Sequence, residues 1–476
     1  VASSAGKEYR ERELKFDTGS DWELPDAGAL GCEVERRAVR LESTYYDTAA
    51  SDLLRHRVTL RRRAGDEDAG WQLKVPHGDA RTEIRLPASA ANGVPAELRA
   101  ATIALRRGAT LRPVARLVTE REAYRLVDDE RTPLAEIVLD TVTATELGDV
   151  SRVRSWREVE VELLDGDERF LHRVARWLRK RGAAPSASGS KLARALDFEP
   201  AKPRDPAMLS GLAGGYLDTQ ADVLVRGDIA LRRGQDAIHE TRVATRRYRS
   251  VLRELGDLFD AARAAALDAE LRWYADALGA VRDRHVLREH LDRQLADLPP
   301  ELVLGPVAAR IHQMLAAEER DASEALAAVM RTKRYYALLA EVRAWREALP
   351  LADDRPSSDV ARYLDKAVRR VGTRIAAAPE GAGRDEALHR ARKAAKRGRY
   401  LAELARPELG ADAKKLRDRM KKTQQRLGLR QDAVVAAEFL RRAGAAAAAD
   451  GENGFTFGLL YEREQVRAAP TRDFAG

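Results

Sequence analysis

Between Glu8 and Phe198 hydrophobic and polar positions alternate with a period of two over short segments, among them Val58 to Arg63, Trp71 to Val75, Thr82 to Leu86, Ala135 to Thr141 and Glu158 to Leu163. That period belongs to strands with two different faces, and clusters such as Asp165-Gly166-Asp167 mark turns between them. Many strands with few long helices predict a sheet closed on itself or a sandwich. The period changes after Pro200, Pro203 and Pro206, a connector that cannot continue a helix. Apolar residues then recur three and four apart, which predicts helices over about 208–225, 235–254, 260–295, 305–329, 331–348, 357–377, 384–405, 411–427 and 430–443. The chain thus reads as an α+β multidomain protein: a β domain over 1–199, a connector over 200–207 and a helical domain over 208–476.

The strand segments carry charge where a core is expected. In extended backbone Glu11, Glu13 and Lys15 share one face, as do Arg61 and Arg63, then Arg81, Glu83 and Arg85, then Glu158, Glu160 and Glu162. Lys74, Arg116, Arg121, Glu136 and Asp140 fall on the strands between. Any one of these faces is explained by contact with water. Acidic and basic strands are segregated, however, and both signs recur along most of the domain. A barrel with a polar lumen accounts for this, with bases gripping a polyanion on one side and carboxylates gathering a divalent metal on the other. No arrangement of Ser, Cys or His suggests a covalent enzyme intermediate.

The helical part repeats itself at a spacing of about 150 residues. His239, Arg242, Arg246, Arg247 and Arg249 correspond to His389, Arg392, Lys396, Arg397 and Arg399. Arg272 corresponds to Lys421, and Leu278-Gly279 with Asp283 to Leu427-Gly428 with Asp432. The spacing puts the His and three basic side chains of each copy on one helical stripe, where like charges oppose helix formation unless an anion neutralises them. His285, His290 and His312 lie outside the repeated frame and read as structural or surface residues.

Charge sharpens this division. Residues 1–200 hold 34 Lys and Arg against 35 Asp and Glu, and 201–476 hold 50 against 41, so the net +8 belongs to the helical part. A basic surface calls for a polyanionic partner. Aromatic residues make up 5% of the chain and do not interleave with the basic stripes, which argues against stacking on nucleic-acid bases. The sequence has no Walker-type phosphate loop and no Gly-x-Gly-x-x-Gly motif. No stretch approaches the length of apolar sequence that a membrane span needs, so no membrane partner is expected. The single cysteine, Cys32, excludes an internal disulfide and a Cys-rich zinc site and fits a reducing compartment. The first residues lack the apolar core of a secretory signal.

Glu11-Arg12-Glu13-Leu14-Lys15 resembles the ExExK signature of the CYTH superfamily, the triphosphate tunnel metalloenzymes. Tyr45-Tyr46-Asp47-Thr48, Leu60-Arg61-Arg62-Arg63, Trp71-Gln72-Leu73-Lys74, Ala135 to Asp140, Glu158 to Leu163 and Ser190-Lys191 look like its later blocks, in order. The resemblance implies an eight-stranded antiparallel β tunnel that binds a triphosphate and Mg²⁺ or Mn²⁺. Arg57 departs from it, standing where a small turn residue is expected. By that resemblance and by charge, Glu11, Glu13 and Lys15 are the catalytic candidates. Lys15, Arg61, Arg63, Lys74, Arg116, Arg121 and Lys191 would contact phosphate, and Glu11, Glu13, Asp140, Glu160 and Glu162 would hold metal, with Glu83, Glu136 and Glu158 in reserve.

The repeat resembles the CHAD domain, which implies two pseudo-symmetric four-helix bundles whose basic stripes face a groove for inorganic polyphosphate. The groove candidates are His239, Arg242, Arg246, Arg249, Arg272, His389, Arg392, Lys396, Arg399 and Lys421. The pairing resembles bacterial inorganic triphosphatases, which hydrolyse tripolyphosphate to pyrophosphate and phosphate. Adenylate cyclase or thiamine triphosphatase activity on the same tunnel is the alternative, as is a non-enzymatic protein that binds polyphosphate. The expected location is the cytoplasm, at polyphosphate granules.

Overall fold

The first eight strands close into a ring, so that their interior face is enclosed on all sides. They are β1 (Lys7–Asp17), β2 (Glu33–Asp47), β3 (Thr59–Ala64), β4 (Gly70–His77), β5 (Ala80–Leu86), β6 (Arg112–Val127), β7 (Pro133–Glu146) and β8 (Val153–Leu163). The computed structural model describes residues 7–19, 21–65, 69–78, 80–88, 93–148, 151–199, 204–379, 383–427 and 429–468. Pro200 and Pro203 of the connector and Gly428 of the repeat lie outside these. Around the ring the order is β5-β4-β3-β2-β6-β7-β8-β1, and β1 returns to β5. The first half of β1 pairs with β5, from Lys7 opposite Arg85 to Glu11 opposite Arg81. Its second half pairs with β8, from Arg12 opposite Leu163 to Asp17 opposite Glu158. A two-residue strand, β9 (Ala184–Pro185), pairs with the end of β1. Closure leaves few unpaired backbone groups and confirms the expected closed antiparallel barrel.

Among the described residues four α-helices belong to this part: α1 (Asp52–Arg55), α2 (Ala96–Ala101), α3 (Glu168–Arg179) and α4 (Lys191–Ala195). Asp167 caps α3 by accepting from the Phe170 amide at 2.7 Å. The apolar face of α3, with Phe170, Leu171, Val174 and Leu178, buries the outward residues Phe16, Ile137, Leu139, Val159 and Val161. Each such side chain contributes about 1.5–3 kcal/mol. On the interior face Leu117, Val142, Ala144 and Trp156 pack with Leu192 of α4, so an apolar plug sits beside the charged section of the lumen. Asp47 is fully buried and accepts amide hydrogens from Thr48 at 2.7 Å, Leu53 at 2.9 Å and Leu54 at 3.0 Å, which holds the turn into α1. Burial lifts the Asp47 carboxyl to about 6 even so. Arg57, the departure noted in the sequence, has a φ of 62°, the left-handed conformation that favours glycine.

Ten helices follow among the described residues: α5 (Leu209–Arg232), α6 (Ile238–Glu254), α7 (Ala261–Ala296), α8 (Val307–Met330), α9 (Lys333–Glu347), α10 (Val360–Ala376), α11 (Arg384–Leu404), α12 (Arg406–Arg426), α13 (Leu429–Ala449) and α14 (Phe455–Ala468). Nine match the predicted helices; α14 has no counterpart in the sequence reading. The duplication is visible in the packing. The long α7 of the first copy corresponds to α12 and α13 of the second, and hairpins α7–α8 and α13–α14 share one core built from Leu291, Ile311, Leu315, Phe439, Leu440 and Phe457. The equivalent stripes lie on α6 and α11, which pack against each other. Two reciprocal ion pairs bolt them: Arg247 to Glu403 at 2.9 Å and Arg397 to Glu254 at 2.7 Å. His285, His290 and His312 lie within hydrogen-bond distance of Glu319, Glu464 and Asp292, at 2.6, 2.9 and 2.7 Å.

By contact density the chain divides into two compact units, 1–202 with 225–235, and 203–224 with 236–476. No helix among the described residues is long and apolar enough to cross a membrane.

Replacing Asp47 with Ala removes three buried acceptor contacts and is expected to cost about 2–3 kcal/mol. The readout is the thermal midpoint of the barrel transition, which Asp47→Asn lowers less.

Candidate active site and anion groove

Strand register decides which charges meet inside the barrel. Glu13 lies opposite Glu162, Glu162 opposite Glu136, and Lys15 opposite Glu160. On the same face Asp140 is opposite both Glu158 and Arg121, and Lys74 is opposite Glu83. Acids therefore gather on β1, β7 and β8 and bases on β3, β4 and β6.

The tightest carboxylate group is Asp140, Glu158 and Glu160, whose oxygens lie within 4.8 Å of one another. It already has a cation at its centre. The Lys191 ammonium, carried in from α4, reaches Glu158 at 2.6 Å, Glu160 at 2.8 Å and Asp140 at 3.0 Å. Arg121 grips Asp140 with two hydrogen bonds of 2.8 and 2.7 Å, and Lys15 pairs with Glu160. Burial pushes the Asp140 and Glu160 carboxyls up, but these cations outweigh it and hold both below the usual range. The Lys191 ammonium is held well above its usual value, since its three carboxylates overcome its burial.

Elsewhere the balance is uneven. Lys74 pairs with Glu11 at 2.6 Å and Glu83 at 3.3 Å, and Lys15 reaches Glu13 at 3.4 Å. Burial would raise Glu13, yet Lys15 and Lys74 bring it down to about 2. Glu162, between Glu13 and Glu136, has no ion pair among the described residues. Burial, with Glu11, Glu13 and Glu136 nearby, lifts its carboxyl to about 8, although Lys74 pulls the other way. The opposite case is Arg63. Its buried Nε has no hydrogen-bond partner, and burial together with Arg61 and Arg121 lowers its guanidinium to about 10. Counting around the eight-strand ring, β8 with Glu162 and β3 with Arg63 are four strands apart in either direction, on opposite walls. One wall thus holds a carboxyl without an ion pair and the other a guanidinium whose Nε lacks an acceptor among the described residues. Glu11, Glu13 and Glu162 line the same lumen, but their oxygens do not come within 4.8 Å of one another as those of Asp140, Glu158 and Glu160 do.

The structure brings Glu11, Glu13, Lys15, Arg61, Arg63, Lys74, Arg121, Asp140, Glu160, Glu162 and Lys191 to one lumen. Asp140, Glu160 and Lys191 form its internal knot. Arg61 is steadied by Gln72 at 2.6 Å and by the Tyr45 hydroxyl at 3.1 Å. Arg116 is not brought in: it stands on the outer face, 57% exposed, paired with Glu42 at 2.8 Å. It lies five residues from Arg121, so strict alternation already assigns the two to opposite faces. Arg125, in phase with Arg121, reaches Glu136 at 3.4 Å, and Arg81 donates to the Gly189 carbonyl at 2.5 Å and lies 4.0 Å from Glu13. The same parity would have picked out Arg125.

In the helical unit a cleft of about 350 Å³ opens between α6, α7 and α11, lined by Arg242, Arg246, Arg249, Arg272, Lys393 and Lys396 among others. Arg247 and Arg397 are consumed by the reciprocal bolts, and Arg249 pairs with Asp268 at 3.0 Å. Arg242 and Arg392 find Asp283 and Asp432 at 3.1 and 3.9 Å, equivalent pairs in the two copies. Arg399 lies 3.7 Å from Glu403, Arg272 lies 3.8 Å from Asp276, and Lys421 is exposed on α12. Arg246 and Lys396 have no ion pair among the described residues. Burial, then Arg246, Arg392, Arg242 and Arg399, lowers the Lys396 ammonium to about 7, and burial with Arg242 and Arg392 lowers Arg246. His239 is exposed, whereas His389 is half-buried with an unpartnered Nδ1 and is pushed down by burial and by Lys393, Arg392 and Arg246. Positive charges crowded this way gain from an anion between them.

Comparison with known proteins followed the same division. The CYTH domain family matches residues 10–196 and the CHAD domain family residues 215–441. The uncharacterized protein Rv2226 of Mycobacterium tuberculosis strain H37Rv is 37% identical over 500 residues, spanning 98% of this chain and 94% of its own. Among solved structures, PptA from Streptomyces chartreusis is 20% identical, covers 55% of this chain and 95% of its own, and has a TM-score of 0.47. The CHAD domain from the plant Ricinus communis is 26% identical, covers 56% and 90%, and has a TM-score of 0.45.

Both sites predict pH dependence, with opposite signs. A divalent ion held by Glu162 would displace its proton, so Mn²⁺ affinity is expected to rise with pH up to about 8, with proton release seen by calorimetry in two buffers. Polyanion binding reprotonates Lys396, so that affinity falls as pH rises through about 7, with proton uptake in the same experiment.

Proposed function

The chain belongs to the family in which a CYTH domain is followed by a CHAD domain, and from that premise we propose that it is a metal-dependent inorganic triphosphatase whose helical domain binds inorganic polyphosphate. The observation that carries the reading is a pair of lumen groups without ion-pair partners among the described residues, the raised Glu162 carboxyl on β8 and the crowded Arg63 guanidinium on β3. A metal-bound triphosphate satisfies both at once.

Glu11, Glu13 and Glu162 would hold Mg²⁺ or Mn²⁺, which neutralises phosphate oxygens and acidifies a bound water. Arg61, Arg63 and Arg121 bind and orient the triphosphate, bidentately where the guanidinium plane allows. Tyr45 and Gln72 fix the direction of Arg61, so little order is lost when substrate arrives. Water attacks the terminal phosphorus as the bridging P–O bond breaks, giving phosphate and pyrophosphate, and its proton passes to a lumen carboxylate. Lys15, between Glu13 and Glu160, stabilises charge on the departing pyrophosphate. The carboxylates around Lys191 keep that end of the lumen rigid.

The helical groove supports polyphosphate as its ligand because Arg246 and Lys396, one from each repeat, converge without a carboxylate partner between them. A cytoplasmic place near polyphosphate stores follows from this reading.

With Mg²⁺ or Mn²⁺ the protein is expected to release phosphate from tripolyphosphate, and Glu11→Gln or Arg63→Gln to lower kcat/KM by about a hundredfold. Full activity in Glu11→Gln, or no turnover by wild type, overturns the reading, and preference for ATP or thiamine triphosphate moves it to the alternative activity. Polyphosphate binding is expected to weaken steeply with salt and to disappear when His239, Arg242, Arg246, His389, Arg392 and Lys396 are changed together.

A further inference from the structure

A second basic cleft, of about 380 Å³, lies where α6, α10 and α11 meet. It shares Arg253, Lys393 and Arg397 with the groove, so the two run into each other. Its one lining acid, Glu254, is used up by Arg370 at 2.8 Å and Arg397 at 2.7 Å, while Arg253 and Arg390 pair outside the cleft with Asp268 at 2.5 Å and Glu386 at 2.6 Å. The Arg374 guanidinium donates to the carbonyl of Arg390 at 3.1 Å and has no carboxylate among the described residues, and neither has Lys393. Burial and then Arg397, Arg370 and Arg390 lower Arg374, the pattern already seen for Arg246.

The duplication gives this cleft no twin. Across the 150-residue repeat, Arg390 corresponds to Glu240, Lys393 to Val243 and Arg253 to Glu403, while Arg397 keeps its charge as Arg247. Four cations of the cleft, three from α11 and one from α6, become one cation, one neutral residue and two acids at the equivalent positions. The groove is symmetric in its basic stripe and one-sided in its continuation.

We propose that this cleft is a second phosphate subsite, through which an extended polyphosphate chain leaves the groove past α10 and α11 and on that side only. The inference rests on polyphosphate as the groove ligand. Chains long enough to enter both clefts then bind more tightly than chains that fill the groove alone, and they bind in one position.

The test uses the full chain carrying Glu11→Gln with metal chelated, titrated with short-chain and with long-chain inorganic polyphosphate. Arg374→Gln with Arg390→Glu is expected to lower long-chain affinity about tenfold or more and to reduce its salt slope by about one to two, leaving short-chain binding unchanged. The converse pair, Glu240→Arg with Val243→Lys, gives the first copy a similar exit and is expected to strengthen long-chain binding. Equal losses for both lengths, or no loss for the long chain, overturn the proposal. Failure of the groove reading looks different: Arg246→Ala with Lys396→Ala would then bind either length as tightly as the parent.

Discussion

One buried ammonium organises the barrel. Three carboxylates in contact inside a closed sheet cost several kcal/mol each if left to themselves, and a single cation among them turns mutual repulsion into attraction. Lys191 supplies it from outside the sheet, carried on a short helix whose Leu192, Ala193 and Ala195 pack into the apolar plug. Packing and electrostatics are thereby tied together: the plug places the ammonium, and the ammonium permits the acids. Arg121 and Lys15 complete the neutralisation from neighbouring strands. Only beyond this knot does the lumen hold charges without partners.

The helical unit solves a similar problem differently. Its basic side chains divide by partner into two classes. Some are spent on holding helices together, and the others, crowded and half-buried, are left for an anion. The stripe position alone does not distinguish them, since Arg246 and Arg247 are adjacent in sequence.

The strand period made the closed barrel and most of its lumen charges legible, because alternation in an enclosed sheet leaves each residue only two directions. Arg116 shows the limit of reading charge without parity. Lys191 was legible only through resemblance: at the start of a five-residue helix no periodicity says where its side chain goes. The helices were readable from their own repeats, apart from α14, which has exposed apolar residues such as Phe455 and Val466 that blur its stripe. What no local pattern contained was partnership across the duplication. Nothing in the local sequence sets Glu254 and Glu403 apart from other acids at helix ends, and their partners lie more than a hundred residues away.

Those two acids make an exchange in which Arg247 of one copy meets Glu403 of the other and Arg397 meets Glu254. Arg247 and Arg397 are equivalent positions of the duplication, but Glu403 corresponds to Arg253, so the two copies keep the arginine and place its acid one residue apart. The helical domain is in this sense a duplicated unit joined into a single chain. Joining frees the two halves from identity: an oligomer of identical subunits would have to repeat every charge on both sides of its axis, whereas one chain can keep the shared seam and spend the remaining positions differently.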